Sequence, residues 1–216
     1  MAHMFKVLLV DDHPVMTDGL SFLLQREADL EVCGTAHTLQ QARDFLDQQT
    51  PDLIVSDLTL PDGNGIDFVK SLRSRLPNLP ILVLSMHDEI LYAERALRVG
   101  ARGYLMKATA STVVVDAIRT VLEGNLYFSE EIANKLLATS TGNASREASP
   151  LARLTDRQLQ VFELIGQGKI STDIAKQLGV SSGTVDAHRW EIRQRLQLED
   201  NAQLVRYAVS WTESDT

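Results

Sequence analysis

The sequence predicts an α/β doubly wound domain with a parallel five-stranded sheet over residues 4–124, followed by an all-α domain over residues 151–212. Three observations predict this. Five short apolar runs are each followed by a stretch of helical periodicity, the pattern of a parallel sheet covered by helices on both faces. Residues 139–150, TSTGNASREASP, are small and polar, which is linker composition. Beyond them only helical patterns recur, and no internal repeat is visible.

The first run, KVLLV (6–10), is apolar and partly β-branched, and Asp11, Asp12 and a proline end it. Residues 14–25 follow as a helix on which Val15, Leu20, Leu23 and Leu24 are expected to share the buried face. LEVCGTA (30–36) leads to a helix over 38–48, and LIVSD (53–57) to a loop and a helix over 66–75. ILVLS (81–85) leads to a helix over 88–99, and GYLMK (103–107) to a last helix over 111–123. In the loop PDGNG, Gly63 and Gly65 are expected to supply unusual backbone angles. Residues 125–150 are read as a linker with a helical first part.

Composition bounds the class. The chain is 44% apolar and 23% charged, ordinary for a soluble protein. No apolar run approaches the ~20 residues that cross a bilayer, and no signal-peptide pattern opens the chain. Cys33 is the single cysteine, so no intrachain disulfide forms. A cytoplasmic protein without membrane contact is expected. The triplet MAH before Met4 reads as a cloning remnant. Net charge is −8, but residues 1–124 carry 11 Lys and Arg against 17 Asp and Glu, while residues 150–212 carry 8 against 7. An acidic first domain and a near-neutral second are compatible with nucleic-acid binding by the second alone.

Ligands of doubly wound sheets bind beyond the carboxyl ends of the strands. Asp11 and Asp12 end the first strand, Asp57 the third and Ser85 the fourth, and Lys107 follows the fifth. Three converging carboxylates repel one another unless a cation neutralises them, and oxygen donors suit a hard ion, Mg²⁺. With a fixed lysine and a hydroxyl, the set suits a phosphoryl group: Asp57 as carboxylate nucleophile, Lys107 and the metal on the equatorial oxygens. Taken singly, Asp11 is an ordinary helix cap, Lys107 a surface lysine and Tyr104 a packing residue.

The segments LLVDDHP, SDLTLPDGNG, VLSMHDE and ARGYLMK, in this order and spacing, resemble the flavodoxin-like receiver domain of bacterial two-component response regulators. The resemblance implies that Asp57 accepts phosphate from a sensor histidine kinase. It implies that Asp12 binds Mg²⁺ directly, that Asp11 helps through the solvent shell, and that the main-chain carbonyl of Thr59 completes the protein ligands. Ser85 and Tyr104 match the family's switch pair, in which the hydroxyl moves toward the phosphate and the ring turns into the vacated space. His87, two residues beyond Ser85, matches a position that influences acyl-phosphate lifetime. His13 is read as structural. A phosphohydrolase of the haloacid-dehalogenase type needs an acid two residues after the nucleophile; Thr59 stands there, so an enzyme is not expected.

In the second domain, Thr155 caps a helix with Leu159, Phe162 and Ile165 at helical spacing. TDIAKQLGVSSGTV reads as helix, Gly179 turn and a helix capped by Ser181 or Ser182. These positions resemble the tetrahelical LuxR-type helix-turn-helix domain, and joined to a receiver they resemble the NarL/FixJ class. On the recognition helix, read over 183–196, Val185, Ile192 and Leu196 share one face and His188 and Arg189 flank it. Asp186, Ala187, Trp190 and Gln194 point outward, with Arg193 at the boundary. DNA contacts are expected from Ser171, Thr172, Ser182, Thr184, Asp186, Ala187, Arg189, Trp190 and Arg193. Asp186 and Trp190 stand where several relatives carry lysine: Asp can accept from a cytosine amino group and Trp can touch a thymine methyl, or neither touches DNA. KISTDIA lacks the Asn-Lys-Glu often found before Ile-Ala, so one cation is missing. Leu204, Val205 and Ala208 form an apolar stripe, by resemblance the dimer contact, otherwise the closure of the four-helix core.

The expectation is a phosphorylation-dependent transcriptional regulator. Its partners would be a sensor histidine kinase, double-stranded promoter DNA, a second copy of itself on activation and RNA polymerase.

Overall fold

Strand β1 (Phe5–Val10) lies inside a five-stranded sheet, and its Val7, Leu8, Leu9 and Val10 are all buried. The computed structural model describes residues 3–86, 89–130, 132–134 and 149–214. It divides into two units between residues 144 and 145. In the first unit β1 is followed by α1 (Pro14–Leu24), β2 (Leu30–Ala36), α2 (Leu39–Gln48) and β3 (Leu53–Ser56). A short hairpin pairs Thr59–Leu60 with Gly63–Asn64; then come α3 (Gly65–Arg75), β4 (Ile81–Ser85), α4 (Glu89–Val99), β5 (Gly103–Met106) and α5 (Ala110–Leu122). The sheet order is β2-β1-β3-β4-β5 and every pairing is parallel. Burial on both faces explains the unbroken apolar runs of β1, β3 and β4. Val7, Leu9, Val55, Leu82 and Leu84 pack with Leu20 and Leu24 of α1 and with Ala117, Ile118 and Val121 of α5.

Register positions the rim. Val10 pairs with Ser56, so Asp11 and Asp57 leave neighbouring strands at one level, and the Asp57 amide donates to the Val10 carbonyl at 2.8 Å. Ser85 pairs with Met106, which brings Lys107 to the same level. The order reverses between β1 and β3, so the crevice of a doubly wound sheet opens there.

Three local readings need correction. Val15 is 86% exposed, because it lies about 140° around the helix from Leu20; the buried positions of α1 are Thr17, Leu20 and Leu24. Gly63 and Gly65 are not among the positive-φ residues. They are small because space is lacking: a Cβ on Gly65 would lie 2.5 Å from Leu58 Cα, and one on Gly63 would lie 2.7 Å from Leu39 Cδ1. Residues 125–130, within the segment read as a linker with a helical first part, are attached to the sheet edge. Tyr127 bridges Gly103, its amide donates to Arg102 O at 3.0 Å, and Tyr104 N donates to its carbonyl at 2.9 Å. The Ser129 amide donates to Glu89 Oε1 at 3.0 Å, and Ile132 is buried.

The second unit opens with a 3-10 turn (Pro150–Arg153) and continues as α6 (Asp156–Gly166), α7 (Ser171–Leu178), α8 (Ser182–Leu196) and α9 (Asn201–Ser214). Thr155 and Gln158 form a reciprocal capping box at the start of α6. Gly179 ends α7 at φ 65°, a left-handed conformation that favours glycine, and Ser181 caps α8. Phe162 stacks edge-on against Tyr207 at 5.5 Å. A Cβ on Gly166 would lie 2.6 Å from the Ala208 carbonyl, so α6 and α9 are in close contact.

That contact corrects the expected dimer stripe. Leu204 and Ala208 are fully buried within this unit, and only Val205, 38% exposed, remains available to a partner. Replacing Leu204 by Ala is expected to destabilise the second unit by about 2–5 kcal/mol, whereas Val205→Ala costs under about 1 kcal/mol. Urea melts of the two variants check this.

Candidate functional site

Asp11, Asp57, Ser85 and Lys107 come from four segments and are all buried at one rim. The Lys107 ammonium sits between two carboxylates, 2.7 Å from Asp11 Oδ2 and 2.7 Å from Asp57 Oδ2. The other Asp57 oxygen, Oδ1, accepts from the amides of Leu58 at 2.6 Å and Thr59 at 3.2 Å. Asp57 is thus held at both oxygens, by a cation on one side and by the hairpin backbone on the other.

Burial pushes the Asp57 carboxyl above its ordinary range; Lys107 and the Thr59 amide pull it down, and Asp11 adds to the rise. Burial opposes the charge on Lys107, but Asp57 and Asp11 outweigh it and hold the ammonium above its usual value. The lysine alone does not fully offset the cost of burying Asp57 as an anion.

Asp12 is half-buried, and its Oδ1 lies 2.9 Å from His13 Nδ1, which is also 3.0 Å from Asp11 Oδ1. One ligand atom each from Asp11, Asp12, His13 and Asp57 fall within 4.8 Å of one another. Asp12 Oδ1 and Asp11 Oδ2 are buried acceptors that receive no hydrogen bond of good geometry, despite the neighbouring ring and ammonium. Hard oxygen donors with lone pairs to spare fit a divalent cation. His13, read as structural, hydrogen-bonds Asp11 Oδ1 through both its amide, at 2.9 Å, and its ring Nδ1, at 3.0 Å. Thr59, an expected ligand through its carbonyl, stands in the hairpin two residues beyond Asp57. Tyr104 is fully buried. His87 lies outside the described residues.

In the second unit the outward reading of α8 holds by exposure: Ser182, Thr184, Asp186, Ala187, Trp190 and Gln194 are exposed, His188 and Arg189 half-buried. Trp190 is 57% exposed. Two expected DNA contacts instead hold each other, since the Ser171 hydroxyl donates to Asp186 Oδ1 at 2.8 Å. Arg193 is half-buried, and its Nη1 donates to the Glu199 carbonyl at 3.4 Å, so it braces the end of α8. Thr172 is exposed at the start of α7. Ser181 Oγ accepts from the Thr184 amide at 3.1 Å and lies 2.9 Å from the Thr184 hydroxyl, so this expected contact is tied into the helix cap. Among the described residues no helix is long and apolar enough to cross a membrane.

Comparison with known proteins agrees with both halves. The family model for the response regulator receiver domain matches residues 7–119, and that for the luxR family of bacterial regulatory proteins matches residues 152–208. The chain is 34% identical over 204 residues to the transcriptional regulatory protein MctR of Rhizobium johnstonii, covering 94% of this chain and 92% of that one. It is 33% identical over 209 residues to the oxygen regulatory protein NreC of Staphylococcus carnosus, covering 94% and 96%. Among solved structures, RcsB from Salmonella enterica serovar Typhimurium bound to promoter rprA with the phosphomimetic BeF3- has the same fold. Its TM-score is 0.71 at 23% identity, over 96% of this chain and 99% of that one. The chain therefore belongs to the response regulators of the NarL/FixJ type, transcriptional regulators that join a receiver domain to a LuxR-type helix-turn-helix domain.

Proposed function

We propose that phosphorylation of Asp57 by a sensor histidine kinase switches this regulator between a resting form and a promoter-binding dimer. The observation that carries the reading is the buried Lys107 ammonium between Asp11 and Asp57, at the end of the strands where doubly wound sheets bind ligands. An Asp57 oxygen attacks the phosphorus of a phosphohistidine; the P–O bond forms as the P–N bond breaks, and the donor imidazole leaves. Asp12, Asp57 and the Thr59 carbonyl would hold Mg²⁺, with Asp11 assisting; when bound, the ion would supply positive charge that favours ionised Asp57 and screens a phosphoryl group. Lys107 holds an equatorial oxygen, the Leu58 and Thr59 amides steady the acceptor, and the Ser85 hydroxyl meets the third side of the phosphate.

Phosphorylation stabilises the inward place of Tyr104, a shift between two existing states. In the resting form the protein is kept monomeric. On DNA, the outer face of α8 enters the major groove, with Ala187 and Trp190 toward base edges and Thr172, Ser182 and Arg189 toward phosphates. Val205 is the exposed apolar part of α9 available to a two-fold partner. The solved RcsB structures, described as bound to promoter DNA and as two dimers on two parallel DNAs, support this arrangement.

Footprinting on DNA selected from a random pool tests the switch. Acetyl phosphate with Mg²⁺ is expected to increase protection tenfold or more, on the order of 1.4 kcal/mol, and Asp57→Asn to abolish the increase; equal protection with and without the donor overturns the gating.

The raised Asp57 pKa gives a second test. A carboxyl whose folded pKa is raised contributes stability at low pH and loses it as pH rises through that pKa. Metal-free Asp57→Asn is therefore expected to melt above the wild type at pH 7, with the difference vanishing below the ordinary value of 3.8. Calorimetric melts from pH 3 to pH 8 check this; a variant that melts lower throughout contradicts the burial argument.

A further inference from the structure

We infer that Asp62 is a positioning residue for the phosphoryl acceptor: by clamping the hairpin after β3 to the start of α2, it keeps the Leu58 and Thr59 amides on Asp57. The inference rests on the reading that Asp57 is the acceptor.

Asp62 stands in the turn of that hairpin, between Thr59–Leu60 and Gly63–Asn64. Its two carboxylate oxygens accept from consecutive amides at the start of α2. Oδ1 takes the Leu39 amide at 2.8 Å and Oδ2 the Gln40 amide at 2.9 Å. Amides of a first helical turn have no partner within their own helix. The helix's own cap, Thr38, accepts from Gln41 at 3.1 Å, and its first turn carries no acidic residue. The carboxylate that complements the positive end of α2 therefore comes from the hairpin, 23 residues beyond Leu39.

Apolar contact closes the same joint. Leu39 is buried, and its Cδ1 fills the space where a Cβ on Gly63 would stand. The anchor is tied to the rim as well: His37, just before α2, donates from its ring Nδ1 to the Asp11 carbonyl at 2.9 Å. The hairpin's inner end holds the acceptor, since Asp57 Oδ1 takes the Leu58 amide at 2.6 Å and the Thr59 amide at 3.2 Å. Two residue pairs are too few to keep a hairpin in place by themselves. Its position is set by what it touches, at Asp57 on the inside and at α2 on the outside. Freeing the outer end loosens the Thr59 amide first, because its bond is the longer of the two. Asp57 then samples more orientations, and a transfer that needs the attacking oxygen in line with the leaving group slows.

The test compares two full-length variants that each remove an amide acceptor from the start of α2. Asp62→Ala also frees the hairpin; Thr38→Ala does not. Both are expected to lower the melting temperature by a similar few degrees. In transfer from acetyl phosphate with MgCl₂, the bond from an Asp57 oxygen to phosphorus forms as acetate leaves. Its rate is expected to fall about tenfold in Asp62→Ala and less than about twofold in Thr38→Ala. Hydrogen exchange at the Leu58 and Thr59 amides is expected to quicken in Asp62→Ala alone. Equal transfer rates in the two variants, or unchanged exchange at both amides in Asp62→Ala, overturns the positioning role and leaves the acceptor reading standing. A wild type that takes no phosphoryl group at Asp57 overturns the acceptor reading and the role of Asp62 in transfer with it.

Discussion

The contact between one buried ammonium and two buried carboxylates governs the first domain. Lys107 Nζ, 2.7 Å from both Asp11 and Asp57, makes it tolerable to end two adjacent core strands in acid. The arrangement depends on register: a slip of one residue in β4 against β5 would turn Lys107 to the other face of the sheet. The compensation is incomplete, since one positive charge faces two negative ones in a desolvated site. Burial holds the Asp57 carboxyl above its ordinary range, an imbalance that a divalent cation would relieve. Instability stored at the rim is what a ligand can release.

The same constraint explains how far the sequence was legible. Strands β1, β3 and β4 are buried on both faces, so each appears as an unbroken apolar run ended by its functional residue. The rim followed, because polar residues at strand ends of a parallel sheet meet at one edge. What periodicity missed was tertiary. Val15 is apolar yet exposed, Gly65 is small because Leu58 passes 2.5 Å from where its Cβ would stand, and Tyr127 adds to the sheet edge through a single bridge. Pattern alone cannot tell a helix stripe that closes a core from one that meets a partner, and Leu204 and Ala208 belong to the first kind.

The second domain shows a different balance. Helix α8 turns Asp186 and Trp190 outward, and the Ser171 hydroxyl holds Asp186 in place. With 8 Lys and Arg against 7 Asp and Glu over residues 150–212, this domain is nearly balanced in charge.

The proposed switch requires that Asp57 be esterified at a rim where Lys107 and a divalent cation share its charge. Intact-mass spectrometry after incubation with acetyl phosphate and MgCl₂ measures this directly. A single phosphoryl adduct that maps to Asp57 and disappears with a chelator or with Lys107→Ala is the predicted result. An adduct on another residue, or one formed equally well without Lys107 and metal, would contradict it.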